Sequence, residues 1–476
     1  MKTPILKLYG TVVLLFGVLM GFTSYWSVFA ADGLRDQTAN RRDELQEQRI
    51  KRGTIKTADG TVIARSRKRD DETYRRQYPQ GELFGHPIGY AFASIGSSGL
   101  EAFYDDRLVG RRTELVTTFE SLIGREQEGQ DLEITLDGEA QQIATDALKA
   151  TESAKGAAVA MDLETGAVRV MASVPGFDPN DLDKPGVFGK LSSDDDDTPI
   201  FNRAAQGLFP PGSTFKTVTA TAALDTGEYT PDTTVSGANG KPISGVPLQN
   251  AGGADFGPIT LTEALTGSVN TVWAEVGEDL GGETMNEYME RFGFNAAPPI
   301  DLPASQLPRS GIRDGKGKLI EASAASVDVG RTAIGQAALL VSPLQMATVA
   351  QTIGNGGVRM EPYLLEAAVD TDGRTAFKAE PERAERVMSE ETAAALGEMM
   401  RNVVREGTGT AAALEGVEVA GKTGTAEVDV AGGINDAWFI GFTDRTAVAV
   451  MVERVASQGG IAAAPIAKSI LERLDG

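Results

Sequence analysis

Apolar and polar positions follow three rhythms along the chain, and each marks a different part of it. Between Leu8 and Ala31 no residue is charged, and Val12 to Met20 forms an apolar centre. That stretch is long enough to cross a bilayer, which takes about 20 residues. Tyr25 and Trp26 stand near its far end, where amphipathic rings favour the interface. The competing reading is a cleaved signal peptide, because Val28-Phe29-Ala30 resembles a small-residue cleavage site. A signal h-region runs only about 7 to 15 residues, so an uncleaved anchor is expected. Orientation stays open from charge alone: Lys2 and Lys7 precede the span, while Arg35, Arg41, Arg42 and Arg49 follow it.

Beyond the anchor the pattern shortens. Asp43 to Lys51 reads as a polar helix, and residues 55–63 read as a hairpin around Asp59-Gly60. Ser66 to Arg112 is polar and rich in Gly and charge, which suits a pedestal better than a catalytic core. Glu139 to Ala154 has helical spacing, with Ile143, Ala147 and Ala150 on one side. An alternating hairpin follows, 157–161 and 168–172 around Glu164-Thr165-Gly166. Further on, Leu261 to Thr266 and Thr271 to Leu280 read as helices and 417–428 as a strand. The divisions expected are 1–31 for the cytoplasmic tip and anchor, 32–137 for the pedestal, and 138–476 for the main domain, without internal repeats.

Composition narrows the chemistry. Of 476 residues, 41% are hydrophobic and 24% charged, as in ordinary globular proteins. A net charge of −22 argues against nucleic acid, whose phosphates need clustered Lys and Arg. The absence of cysteine excludes disulfides and thiolate chemistry, and a single histidine, His86, makes a zinc enzyme of the usual ligand set improbable. A serine–histidine–acid triad would depend on His86 alone. The remaining activator for a serine is a lysine amine. Ser213 and Lys216, in Pro210-Pro211-Gly212-Ser213-Thr214-Phe215-Lys216, are three apart and share a helix face. The helix start also gives Ser213 a partly positive surrounding.

Two more motifs follow: Ser268-Val269-Asn270, read as an extended connection with Ser268 and Asn270 facing one side, and Lys422-Thr423-Gly424-Thr425 on the strand. There, Gly424 would let a substrate backbone approach. Alone, each has a plainer explanation. Ser-x-x-Lys recurs by chance, a helix-start serine is usually a cap, and Ser-x-Asn usually does loop duty. Residues 416–423 even satisfy the phosphate-loop pattern, but a strand rather than a helix follows, and Glu418 would repel phosphate. The run Asp194 to Asp197 lacks the spacing of a calcium loop and reads as a solvated insertion.

Together, in this order, the three motifs resemble those of the penicillin-binding protein transpeptidases. Phe201-Asn202-Arg203-Ala204, Gly335-Gln336, Ser342-Pro343-Leu344-Gln345-Met346-Ala347, Asn355-Gly356-Gly357 and Ala437-Trp438-Phe439-Ile440-Gly441-Phe442 extend the likeness over most of residues 50–455. The short interval before the main domain lacks room for a glycosyltransferase domain. It resembles the monofunctional class B members, and among them the actinobacterial PbpA-type division proteins. Asp436 departs from the family, where histidine often precedes Ala-Trp-Phe.

The resemblance implies an α/β (α+β) fold, an antiparallel sheet flanked by helices, with a pedestal and one transmembrane helix. It implies a D,D-transpeptidase of the cell wall, outside the plasma membrane. Ser213 is then the nucleophile and Lys216 its base. Ser268 relays a proton, Asn270 holds the acyl amide, and Lys422 and Thr423 bind the terminal carboxylate. Gly424 and Thr425 complete the strand, and the amides of Ser213 and Thr425 form the oxyanion hole. Lys216 must be neutral to act, through burial beside Phe215 and the proximity of Lys422. No cofactor or metal is required. Stem peptides and β-lactams are the expected ligands, and a SEDS-type glycosyltransferase with other divisome or elongasome proteins the expected partners. D,D-carboxypeptidase and β-lactamase activity are the enzymatic alternatives; a division scaffold or β-lactam sensor is the other.

Overall fold

The computed structural model describes residues 2–24, 48–111, 128–193, 198–429 and 431–476. Tyr25, Trp26, the Val28-Phe29-Ala30 site, most of the Asp43 helix and the run from Asp194 to Asp197 lie outside the described residues. The part of that expected helix within them, Gln48 to Lys51, is a turn ending in a bridge from Lys51 to Glu128. Helix α1 (Lys2–Ser24) carries exposed apolar residues from Val12 to Met20. Among the described residues no helix is long and apolar enough to cross a membrane.

The hairpin around Gly60 forms as expected: β1 (Ile55–Thr57) pairs antiparallel with β2 (Val62–Lys68), and Gly60 takes a positive φ of 85°. β3 (Tyr74–Gln77) and β4 (Asp131–Ile134) extend the sheet. The same sheet then recruits two strands from far along the chain, Leu365–Val369 beside β4 and Thr375–Lys378 beyond it. The pedestal is therefore not closed at residue 137. One apolar cluster runs from Ile55 and Leu132 through Phe84 to Phe215 and Trp273, so pedestal and main domain share a core.

Helix α2 (Gly138–Lys149) is capped by Asp137, whose carboxylate accepts from Ala140 N, and it ends earlier than its apolar spacing predicts. β5 (Gly156–Asp162) and β6 (Val168–Val174) form the expected hairpin, but the alternation is not one of buried and exposed positions. Both faces are covered. Ala157, Val159 and Met161 join the cluster that contains Leu344, Met346 and Ala347, whereas Ala158 and Ala160 join a second cluster under α2 and the C-terminal helix. Continuous small apolar residues are what a strand buried on both sides requires.

Helix α3 (Lys216–Asp225), α4 (Leu261–Thr266) and α5 (Asn270–Arg291) follow, with α6 (Pro343–Gly354) and α7 (Glu390–Arg405) on one face of the main sheet. That sheet is antiparallel, in the order β7 (Ala420–Asp429), β8 (Ile434–Phe442), β9 (Thr446–Val455), β5, β6. Helix α8 (Ala464–Asp475) lies with α2 on the opposite face. The strand with the Lys422 motif is thus an edge strand, and the turn bearing Ser213 packs directly against it.

Candidate active site

A single 3-10 turn, Gly212–Phe215, carries Ser213 into α3. Phe215 is fully buried and meets Phe294 edge to face at 5.7 Å, which fixes the turn to the core. Gly212 adopts φ 52°, and a Cβ there would stand 2.9 Å from Thr425 O. Behind it, Gly335 O accepts from Gly212 N at 3.1 Å, and a Cβ on Gly335 would fall 1.9 Å from Gly212 O. The backbone of the nucleophile turn is therefore clamped between Gly335 and β7. Gly424 has the same use: its missing side chain leaves room for Pro211 O, 2.7 Å from where a Cβ would sit. On the side where a side chain would project, Gly424 admits the turn.

Ser213 is half-buried, and its Oγ makes no hydrogen bond among the described residues. Lys216, at 0% exposure, turns instead toward the second motif. Its Nζ lies 2.7 Å from Asn270 Oδ1, 2.8 Å from Ser268 O and 3.2 Å from Ser268 Oγ. The expected hydroxyl–amine pair shares one turn of chain without a direct bond. Such contacts commonly close only when substrate arrives.

The second motif is not extended. Ser268 has φ 57°, the left-handed region that non-glycine residues rarely occupy, and Asn270 is already the first residue of α5. That reversal brings both side chains onto Lys216. Asn250, which motif reading missed, holds the helix start: its Oδ1 accepts from Thr271 N at 3.0 Å and from Thr271 Oγ1 at 3.1 Å. An asparagine in a Gly-rich loop gives no sequence signal for this role.

Lys422, also fully buried, donates to Ser268 Oγ at 2.9 Å and to Thr423 O at 3.0 Å. Ser268 Oγ thus lies between two amines. Burial pushes Lys422 down to about 7. It lowers Lys216 well below the usual lysine range, with repulsion from Lys422 added, which are the two causes sequence reading named. Strand pleating turns Thr423 away from Lys422: its hydroxyl is 2.6 Å from the hydroxyl of exposed Thr408, another residue that motif reading missed. Thr425 Oγ1, on the same side as Thr423, accepts from Gly459 N at 3.3 Å.

Asp436 is buried beside this strand and accepts from Arg454 N at 3.0 Å; burial raises it to about 6. His86 is a structural residue. It is buried against Phe177, its Nε2 is 2.8 Å from Pro199 O, and burial lowers it to about 4. Lys422 sits within a strand rather than ahead of a helix, so the phosphate-loop match has no structural counterpart.

A covered antiparallel sheet with a serine turn, a left-handed Ser-x-Asn loop and an edge-strand lysine defines a class. The chain belongs to the penicillin-binding protein transpeptidases: residues 156–472 match the penicillin binding protein transpeptidase domain, and 52–132 match the penicillin binding protein A dimerisation domain. It is 34% identical to the peptidoglycan D,D-transpeptidase PbpA of Mycolicibacterium smegmatis, over 99% of this chain and 98% of that protein. Among solved structures it is similar to the imipenem acyl-enzyme complex of penicillin-binding protein A from M. tuberculosis, with TM-score 0.80, 30% identity, and 90% and 99% of the two chains covered. It is also similar to a D,D-transpeptidase domain from Eggerthella lenta, with TM-score 0.78, 34% identity, and 90% and 98% covered.

Proposed function

We propose that this chain is a peptidoglycan D,D-transpeptidase that works through an acyl-enzyme on Ser213. One observation carries the reading: two buried lysines, Lys216 and Lys422, and half-buried Ser268 and Asn270, from three segments, form one hydrogen-bonded cluster beside an uncommitted serine hydroxyl. The names of the relatives, D,D-transpeptidase and β-lactam acyl-enzyme, support it.

In this reading Lys216, as an amine, takes the proton while Ser213 Oγ attacks the penultimate carbonyl of a stem peptide ending in D-Ala-D-Ala. The amides of Ser213 and Thr425 hold the oxyanion, each worth about 3 kcal/mol in comparable acyl transfers. Collapse breaks the C–N bond, and Ser268, bonded to both lysines, passes a proton to the departing D-Ala amine. Asn270 orients Lys216 and the acyl amide. Lys422, with the hydroxyls of Thr423 and Thr425 along the edge strand, takes the terminal carboxylate. An amine from a neighbouring stem then attacks the ester, forming the crosslink and restoring Ser213. A β-lactam offers the same carbonyl in a ring and stops at the ester.

The anchored, extracytoplasmic placement and the contact with a polytopic glycosyltransferase belong to the same proposal. The run of exposed apolar residues from Val12 to Met20 supports the first, and the place of the pedestal in chain order, after α1 and before the main domain, supports the second.

The test is intact-mass measurement after incubation with benzylpenicillin, then assay with labelled stem peptides. A single adduct mapped to Ser213, lost in Ser213→Ala, and a crosslinked product are expected. An adduct that survives in Ser213→Ala sinks the assignment. Shortened peptide without crosslink makes the enzyme a D,D-carboxypeptidase.

A further inference from the structure

Between α7 and β7 the chain passes through Gly407-Thr408-Gly409, and the fold brings that loop against the segments that carry the second and third motifs. Val403 O, in the last turn of α7, accepts from Gly407 N at 3.1 Å and from Gly409 N at 2.9 Å. A Cβ on Gly407 would stand 2.5 Å from Thr266 O, just ahead of Ser268, and a Cβ on Gly460 would stand 2.3 Å from Thr408 O. Backbone from α7, from the end of α4 and from the short helix Gly459–Ala462 therefore fixes where Thr408 sits. Its side chain is exposed, yet its hydroxyl lies 2.6 Å from that of Thr423. Thr423 keeps only 6% exposure, and its hydroxyl makes no other hydrogen bond among the described residues.

A threonine hydroxyl has one proton to give and two lone pairs to accept with. In a pair this close one hydroxyl accepts the other's proton, which leaves a single proton for an incoming anion. Where Thr408 is the donor, the free proton is that of Thr423, and the bond behind it fixes the Thr423 rotamer and polarises its hydroxyl. Thr425 is held in the same sense: its Oγ1 accepts from Gly459 N at 3.3 Å, which leaves its own proton to give. We infer that Thr408 is a positioning residue for carboxylate recognition, donating to Thr423 so that the Thr423 proton is turned to the anion. The inference rests on the proposed role of Lys422 and Thr423 as carboxylate ligands. It adds to them a side chain outside the three motifs.

The experiment compares acylation of the full chain, in neutral detergent, by benzylpenicillin and by its methyl ester, which lacks the anion. Thr408→Val keeps the shape of the side chain and removes its hydrogen bond. It should lower the second-order acylation constant for benzylpenicillin roughly tenfold, through the binding constant, and leave the constant for the ester within about twofold of the parent. Thr408→Ser keeps the donor and should come within about threefold of the parent toward benzylpenicillin. In Thr423→Val the pair is already broken, so adding Thr408→Val should cost nothing more. Equal losses toward acid and ester would make Thr408 a structural support and overturn the inference. So would a Thr408→Val chain that matches the parent, a serine that does not rescue, or losses that add in the double variant. A parent chain that takes no adduct on Ser213 is a separate failure, that of the acyl-enzyme reading, and the inference falls with it.

Discussion

Ser268 bears the strain of the site. A serine at φ 57° costs about 1 to 3 kcal/mol, and the outlay places its hydroxyl within hydrogen-bonding distance of two buried lysines. The lysines divide the work by their surroundings. Burial, with repulsion from Lys422 added, holds Lys216 well below the usual lysine range, while burial brings Lys422 to about 7, where it titrates in the working range. In the free enzyme, the acylation rate constant over binding constant should fall as pH rises through about 7, because the ammonium of Lys422 is lost. Lys422→Arg keeps the charge and should move that limb beyond pH 9, measured by stopped-flow acylation with a chromogenic β-lactam; an unmoved limb would remove Lys422 from this role.

Asp436 gives a stability signature of its own. Its folded value, near 6, lies above the unfolded 3.8, so the fold favours the neutral acid. The stabilising contribution is complete below about pH 4 and is lost as pH rises through 6. Asp436→Asn keeps an acceptor for Arg454 N and should gain about 3 kcal/mol at pH 7.5 and little at pH 4, read from urea midpoints.

At the scale of elements, the site is a clamp of backbone on backbone. Gly335, the Ser213 turn and β7 are close-packed with no room for a methyl group, so Gly335→Ala must displace the turn rather than fill a gap. Gly335 also has φ 76°, adding conformational strain. Acylation should drop by at least about a hundredfold with 1 to 3 kcal/mol of lost stability, the rate loss arising from misplacement of reacting atoms by about 1 Å. A rate within threefold of the parent would show that the clamp does not position Ser213. Several elements were readable from local pattern. The span of α4, Leu261 to Thr266, agrees residue for residue, and a capping box of Thr260 and Glu263 explains why. The β5–β6 hairpin was readable by its turn, but not its two-sided burial, because apolar runs do not say what covers them. The left-handed turn at Ser268 was unreadable, since nothing in Ser-Val-Asn demands it.

At the scale of the whole molecule, the pedestal and main domain are joined by a buried carboxylate. Asp301 accepts from Leu364 N and Leu365 N at 2.8 Å each and from Tyr104 OH at 2.9 Å, tying the pedestal to the strand recruited from residues 365–369. Asp301→Ala leaves those amides unpaired and should cost about 3 kcal/mol, measured by chemical unfolding. Tyr104→Phe should cost about 1 kcal/mol by the same measurement; equal losses would refute the peg.

The residues alone determined the chemistry available. With no cysteine and one histidine, the proposed activation of the nucleophile falls to lysine, and the order of the three motifs singles out Lys216 and Lys422 as its candidates. That follows because functional-group chemistry is a property of single residues and motif order a property of the chain. The tertiary structure alone decided that Lys216 faces Ser268 and Asn270, that the missing side chain of Gly424 makes room for the Ser213 turn, that Thr423 meets Thr408, and that five arginines share one pedestal cavity. Burial, pKa and close approach depend on which distant segments meet, and long-range packing settles that.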